Sequence, residues 1–407
     1  MVAIGLVGLL TTFLLLVLLL PDHGATGFGR ADSGVAEAQP AGTCGIVPSH
    51  FTWPAAETSW EIFAAINCRM LGTNHLAWEN WPEQTVVYST APLTGRTPVR
   101  RFHTSLLERA LTHRGVGRAL VIDPSQDCAP MGGQNFIPAA VQQQMAAFTI
   151  CEEVHLDPTA ARFIRSHGYQ HRSVQAAAAD IEFPTSAVEV KADWIPATDF
   201  KTPPFSCTNP PADLYVESVV TNGTPVCYAL VGMHINSKLL PDWVWATFEP
   251  QNALTNSMRC KLYGSCQDGW GARPPVSRGG TTVLTPAALA LMNSPLVPRA
   301  FLNYRLDGAQ THFLLPTGQP SLLGSSIIEG ENAGVAVGQA SCITCHSSSL
   351  INGPVKTDAV SYFGATGIKL IGTACQPNQG WHKRDFVWSM LLASPAGPTP
   401  APSVPCH

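Results

Sequence analysis

Residues 1–20 (MVAIGLVGLLTTFLLLVLLL) are apolar apart from Gly and two Thr, carry no charge, and are closed by Pro21 and Asp22. A run with no polar face fits an export signal or a membrane anchor better than a core helix, and either places the remainder outside the cytoplasm. It lacks Lys and Arg, and the best small-residue cleavage site, Ala36-Glu37-Ala38, lies well beyond it, so cleavage and retention as an anchor both stay open. Residues 21–43 are small, polar and Gly-rich, as in a flexible leader. From residue 44 the pattern becomes that of a folded chain. Trp60, Phe63, Ala64 and Asn67 recur at helical spacing within 57–68, and 104–114 and 139–148 also read as short helices. Residues 214–221 and 225–235 are rich in Val and Tyr and flank Asn222-Gly223, which predicts a two-residue β-hairpin. Residues 187–195 and 243–249 have the β-branched and aromatic content of further strands. Residues 286–292 predict a short helix, and 301–313 predict extended structure. Helical spacing returns at 385–393, where Phe386 and Met390 are four apart.

These elements predict an α+β fold: a sheet-containing body at 44–329, a small helical region at 330–393, and a Pro-rich tail at 394–407. Charged residues make up only 13% of the 407, well under the roughly 25% of an average domain, while Gly and Pro number 34 each, so the body is expected to be loop-rich. The net charge of −4 and the absence of any basic run argue against a nucleic-acid partner. Twelve Cys in an exported chain point to disulfide staples. Spacing favours Cys44–Cys68, Cys128–Cys151, Cys207–Cys227, Cys260–Cys266 and Cys375–Cys406, although connectivity does not follow from sequence.

Cys342-Ile343-Thr344-Cys345-His346 is CxxCH, the attachment motif for c-type haem. On a helix its two thiols and imidazole fall at i, i+3 and i+4 on one face. The thiols can then add to the porphyrin vinyl groups while the imidazole reaches the iron. Gly353-Pro354 is expected to end that helix. A zinc half-site would need a second ligand pair, but the next Cys is Cys375 and no His lies between His346 and His382. A thioredoxin-like pair would need a βαβ unit, which the pattern does not provide. Two other groups are weaker. His167 and His171 have helical metal-pair spacing interrupted by Gly168 and read better as a loop or helix end. Glu152, Glu153 and His155 could serve acid–base chemistry but read as a solvated face.

The segments VEVKADW (188–194), VGMHINSKLLPDWVWATFE (231–249), LNYRLDGAQ (302–310), LLGSSIIEG (322–330), SCITCH (341–346) and DFVWSM (385–390) resemble, in this order, a family of bacterial exported cytochrome c-like proteins with one c-type haem. The resemblance spans about 50–395. It implies a haem protein of the periplasm or cell envelope and names no substrate. Where the family often has His after Glu249, this chain has Pro250. Ser347–Ser349 follow CxxCH, which leaves Lys356, Lys369, Lys383 and Arg384 as cations for haem propionates.

The functional expectation is a monohaem cytochrome, with Cys342 and Cys345 holding one haem c and His346 as proximal ligand, passing single electrons to a redox partner protein. Residues 1–20 would allow membrane association. Met390 is the leading second ligand, with His382 and His234 as alternatives and the terminal His407 the least suited. The alternative is a haem enzyme with an open sixth position, acting on peroxide or a small oxidisable molecule. A binding or sensing module is the third reading. Nearly 300 residues precede the haem region, more than a simple carrier needs.

Overall fold

The structure is a computed structural model. It describes residues 43–70, 75–93, 129–130, 149–178, 180–200, 205–221, 224–250, 285–318, 321–325, 328, 340–347, 349–351, 375–376 and 381–394. The 1–20 segment, the leader to residue 42, the expected helices at 104–114 and 139–148 and the tail beyond Ser394 lie outside the described residues. Among the described residues no helix is long and apolar enough to cross a membrane. All described residues belong to one compact unit, Pro40–His407.

The architecture is mixed α+β, built on a seven-stranded antiparallel sheet. Its strands are β1 (Ala129–Pro130), β2 (Thr149–Leu156), β3 (Val188–Pro196), β4 (Val216–Thr221), β5 (Thr224–Ser237), β6 (Val244–Pro250) and β7 (Tyr304–Gln310). The order is β1-β2-β3-β5-β6-β7, with β4 also paired to β5. The Thr221↔Thr224 register is the expected hairpin around Asn222-Gly223. The long β5 holds β3 along one edge and, along the other, first β4 and then β6. A smaller antiparallel sheet joins β8 (Leu350–Ile351), β10 (Trp381–Lys383) and β9 (Cys375–Gln376).

Strand alternation gives the large sheet two unlike faces. Val188, Val190, Ala192, Trp194, Met233, Ile235, Ala246, Phe248, Tyr304 and Leu306 all enter one apolar core. Helix α1 (Ala55–Ile66) covers this face, with Phe63 stacked on Phe248 at 4.2 Å between ring centroids. The helix ends at Asn67, whose side chain donates to the Phe63 carbonyl and accepts from Trp78 Nε1. The Cys44–Cys68 disulfide fastens the segment beside it, and Cys207–Cys227 fastens the chain before β4 to β5. Cys151 is also disulfide-bonded. The expected pairs that involve Cys128, Cys260, Cys266, Cys375 and Cys406 lie outside the described residues.

The opposite face carries Glu189, Asp193, His234, Thr247, Glu249, Arg305 and Gln310, all at most 6% exposed. Burying such groups is costly unless they are paired. Arg305 lies 2.7 Å from Asp307 and 3.5 Å from Glu249, and Glu249 accepts from Ser325 at 2.6 Å.

Among the described residues four further helices flank the sheet: α2 (Gln84–Val87), α3 (Pro158–Ser166), α4 (Arg172–Ala177) and α5 (Pro286–Met292). Pro in the first turn and an N-cap side chain, Asp157 for α3 and Thr285 for α5, explain where two of them begin. Two expectations need correction. Residues 301–303 belong to a 3-10 turn (Arg299–Asn303) that buries Phe301 before β7 starts. Residues 385–393 are not one helix: Asp385 and Phe386 are left-handed (φ 50° and 68°), and only Trp388–Leu392 forms a 3-10 turn. The physical reason is tertiary, and it lies at the CxxCH motif.

Candidate functional site

Cys342–His346 forms helix α6, as the motif predicts. It stops at His346 rather than at Gly353-Pro354. Ser349 Oγ donates to the Val387 carbonyl and the Arg384 amide donates to the Ser349 carbonyl, which draws the chain into β8. A five-residue helix cannot stand alone, because nucleation costs more than so few hydrogen bonds return. Its N-cap Ser341 makes no side-chain cap bond to the helix. Gln310 on β7 takes that role: its Oε1 accepts from the Ile343 amide at 2.9 Å, and its Nε2 donates to Ser341 Oγ at 3.0 Å and to the Ser321 carbonyl at 2.7 Å. Ile343 is fully buried in a second apolar cluster with Cys342, Leu323, Trp243, Trp245, Phe313, Phe386 and Met390.

Cys342 is buried and Cys345 half-buried, and neither is in a disulfide. Cys342 Sγ lies 3.4 Å from the Leu323 carbonyl. The His346 ring packs against Trp245, with centroids 4.5 Å apart, and meets Trp388 edge-on at 6.4 Å. Its Nδ1 lies 2.9 Å from the Phe386 carbonyl, a pure acceptor, so the proton sits on Nδ1 and Nε2 carries the lone pair. Burial pushes the imidazole down to about 3, and the nearby His234 and Lys191 push the same way while the bond to Phe386 opposes them. The ring is therefore neutral at physiological pH, the form in which imidazole binds a metal.

The carbonyl is held in place by the left-handed pair. Asp385 is fully buried; its Oδ2 accepts from the Phe183 amide at 2.7 Å and its Oδ1 from Lys238 Nζ at 2.6 Å. Burial raises the Asp385 carboxyl to about 6 against the opposing pull of Lys238.

The thiols, the oriented imidazole and two aromatic walls fit a covalently attached haem c. A further observation bears on the fit. Thr247 Oγ1, on the same sheet face as Trp245, and Trp388 Nε1 are buried polar atoms without a hydrogen-bond partner. An unmet buried polar atom costs ~1–3 kcal/mol, and the Trp388 ring meets His346, so its Nε1 would be a donor for a polar substituent of a group held there. Among the described residues no cluster of three or more His, Cys, Asp and Glu side chains forms a metal-ion site.

Of the expected second ligands, Met390 is fully buried in the cluster that contains Cys342 and Ile343. His234 lies on the polar sheet face at 4% exposure, close enough to His346 to lower the pKa of that ring. The His382 backbone is in β10, but its side chain, like His407, lies outside the described residues. Of the four expected propionate cations, Lys383 is engaged with Glu182 at 2.9 Å, and Arg384 is fully buried, its guanidinium pushed down to about 9 by burial and by Arg172. Lys356 and Lys369 lie outside the described residues.

The reading of Glu152, Glu153 and His155 as a solvated face is wrong. They are 2%, 0% and 5% exposed: β3 pairs along one edge of this stretch, and the segment before α2 covers the other, where Glu83 bridges His155 and the His155 Nδ1 meets the Trp81 carbonyl at 2.8 Å. Glu152 pairs with Lys191 at 2.7 Å, and Glu153 accepts from Trp194 Nε1 at 3.0 Å and lies 3.5 Å from His155. Burial works against the charged form of His155, but Glu153 and the Trp81 carbonyl outweigh it and raise its pKa. His167 caps the end of α3, followed by left-handed Gly168 (φ 74°), and His171 precedes α4, so the helix-end reading stands.

Sequence reasoning missed Lys238, Trp245, Gln310 and Asp385 as parts of the site. They come from residues 231–249, 302–310 and 385–390, which are distant in the chain and converge on the CxxCH helix. The chain matches no protein-family model, no curated protein and no solved structure.

Proposed function

We propose that the chain is a monohaem c-type cytochrome of the bacterial periplasm or cell envelope that passes single electrons to a redox partner protein. One observation carries the reading: His346, at the end of CxxCH, donates from Nδ1 to the Phe386 carbonyl, which leaves the Nε2 lone pair for a metal, and the two thiols of the motif are not spent in a disulfide. Cys342 and Cys345 would hold the haem through thioether bonds, and His346 would be the proximal ligand. The haem supplies one-electron ferrous–ferric chemistry when bound. The surrounding residues orient the imidazole, raise its basicity as a ligand and pack the Trp245 and Trp388 rings against it, with the imidazole left partly exposed.

Met390 is assigned as second ligand, since its thioether already lies in the apolar cluster of the motif and would raise the potential. The enzyme reading is favoured by a different observation. His234 and Lys191, paired across β5 and β3, put polar groups within electrostatic range of His346, where a reactive site would need proton donors. Visible spectra of the purified protein, oxidised and reduced, with and without carbon monoxide, separate the two. A carrier keeps its six-coordinate ferrous spectrum under carbon monoxide. Ready binding of carbon monoxide to the unaltered protein would replace the carrier by the enzyme.

A further inference from the structure

The left-handed pair Asp385–Phe386 is unusual because both residues carry a Cβ, which opposes such backbone angles. Two consecutive residues remain there only where the surroundings over-determine them. The surroundings are specific. Lys238, the residue after β5 ends at Ser237, has a side chain only 3% exposed, and its Nζ makes three bonds: to Asp385 Oδ1 (2.6 Å), Glu182 Oε1 (2.5 Å) and the Pro241 carbonyl (2.8 Å). Asp385 spends its other oxygen on the Phe183 amide. The carboxylate is thus tied on both sides to the 182–183 and 238–241 segments, and its backbone hands directly to Phe386, whose carbonyl meets His346 Nδ1 at 2.9 Å. Only the short Asp385 side chain, held at both oxygens, and one residue of backbone lie between the ion pair and the imidazole's acceptor.

We propose that Lys238 and Asp385 are positioning residues for His346: their buried ion pair holds the Phe386 carbonyl in place and so sets the orientation and donor strength of the imidazole. A firm Nδ1–H···O=C bond increases electron donation from Nε2 and favours the ferric state, so the ion pair keeps the potential lower than the apolar surroundings alone would set it. The link to potential rests on the cytochrome reading above, whereas the positioning of His346 does not.

The test uses Asp385→Asn and Lys238→Met in the full chain. Asn tolerates left-handed angles, so the first variant removes charge with little added strain. In the haem-loaded protein both variants are expected to raise the midpoint potential. A through-space charge effect predicts opposite signs, because one change deletes an anion and the other a cation. In the haem-free full chain, solvent exchange of the His346 Nδ1–H, read by nitrogen-15 NMR, should speed up by about tenfold in both variants, as expected for the loss of ~1.4 kcal/mol of positioning. If Lys238→Met does not fold, Lys238→Arg keeps the charge, moves the donor and is still expected to raise the potential. A lower potential in Lys238→Met, or unchanged Nδ1–H exchange in both variants, overturns the proposal. If the unaltered chain carries no covalent haem, the cytochrome reading fails, and the exchange measurement still decides the positioning role.

Discussion

Replacing Gln310 with Leu should uncouple the CxxCH helix from the sheet at a measurable cost. The Ile343 amide is one of the N-terminal donors that a helix cannot satisfy internally, and Gln310 Oε1 satisfies it in place of the silent N-cap Ser341. Gln310 is 2% exposed, so water does not readily replace it. An orphaned buried amide costs ~1–3 kcal/mol and each lost bond from Nε2 another ~0.5–1.5 kcal/mol, while the added apolar surface of Leu returns part of this. The net expectation is a loss of about 2–4 kcal/mol. Urea unfolding followed by tryptophan fluorescence gives the number. Ser341→Ala, which removes the acceptor for Gln310 Nε2 and the donor to Thr344 Oγ1, should cost ~1–2 kcal/mol, and the double variant should show a coupling of ~0.5–1 kcal/mol. A loss below ~0.5 kcal/mol for Gln310→Leu would refute the view that this side chain caps the helix.

Glu189, buried and 6% exposed, has its carboxyl raised to about 7 by burial, with Ser389 and Lys191 opposing. A raised folded-state value means that the folded chain binds more protons than the unfolded one between about pH 4.5 and 7, so stability falls as pH rises through that window. Glu189→Gln should therefore stabilise the protein by up to ~3 kcal/mol at pH 8.5 and by little at pH 4, checked by urea midpoints at both values. Removing the Cys44–Cys68 disulfide, which closes a separation of 24 residues, should cost ~3 kcal/mol in thermal or urea unfolding. Met390→Ala should abolish the thioether-to-iron charge-transfer band and allow carbon monoxide to bind the ferrous form. An unchanged band with a response in His234→Ala would move the second ligand to His234.

What was legible in the sequence was local. The hairpin about Asn222-Gly223, the helix at Pro286–Met292 and strands β3 and β6 follow from turn chemistry, capping and residue type within a few positions. The CxxCH helix follows for the same reason. What was not legible depends on neighbours far along the chain. Glu152, Glu153 and His155 read as polar surface because nothing in their own segment shows that β3 lies along one edge and the Trp81–Glu83 segment along the other. The helical spacing of Phe386 and Met390 is real, and both do enter one apolar cluster, but Lys238 and the Phe183 amide bend Asp385 and Phe386 into left-handed angles that no local preference of Asp-Phe demands. Trp245 and Gln310 are opposite one another on β6 and β7, a register visible only once the sheet is formed.

The account stands on a covalent haem at Cys342 and Cys345. Unaltered protein, exported from a host that attaches haem c, should be denatured, extracted with acidified organic solvent, and read in alkaline pyridine after reduction. The expected result is one haem per chain retained through extraction, and its loss when Cys342 and Cys345 are both replaced by Ala. Haem that leaves the unaltered chain on extraction, or a chain that never acquires haem, would contradict it.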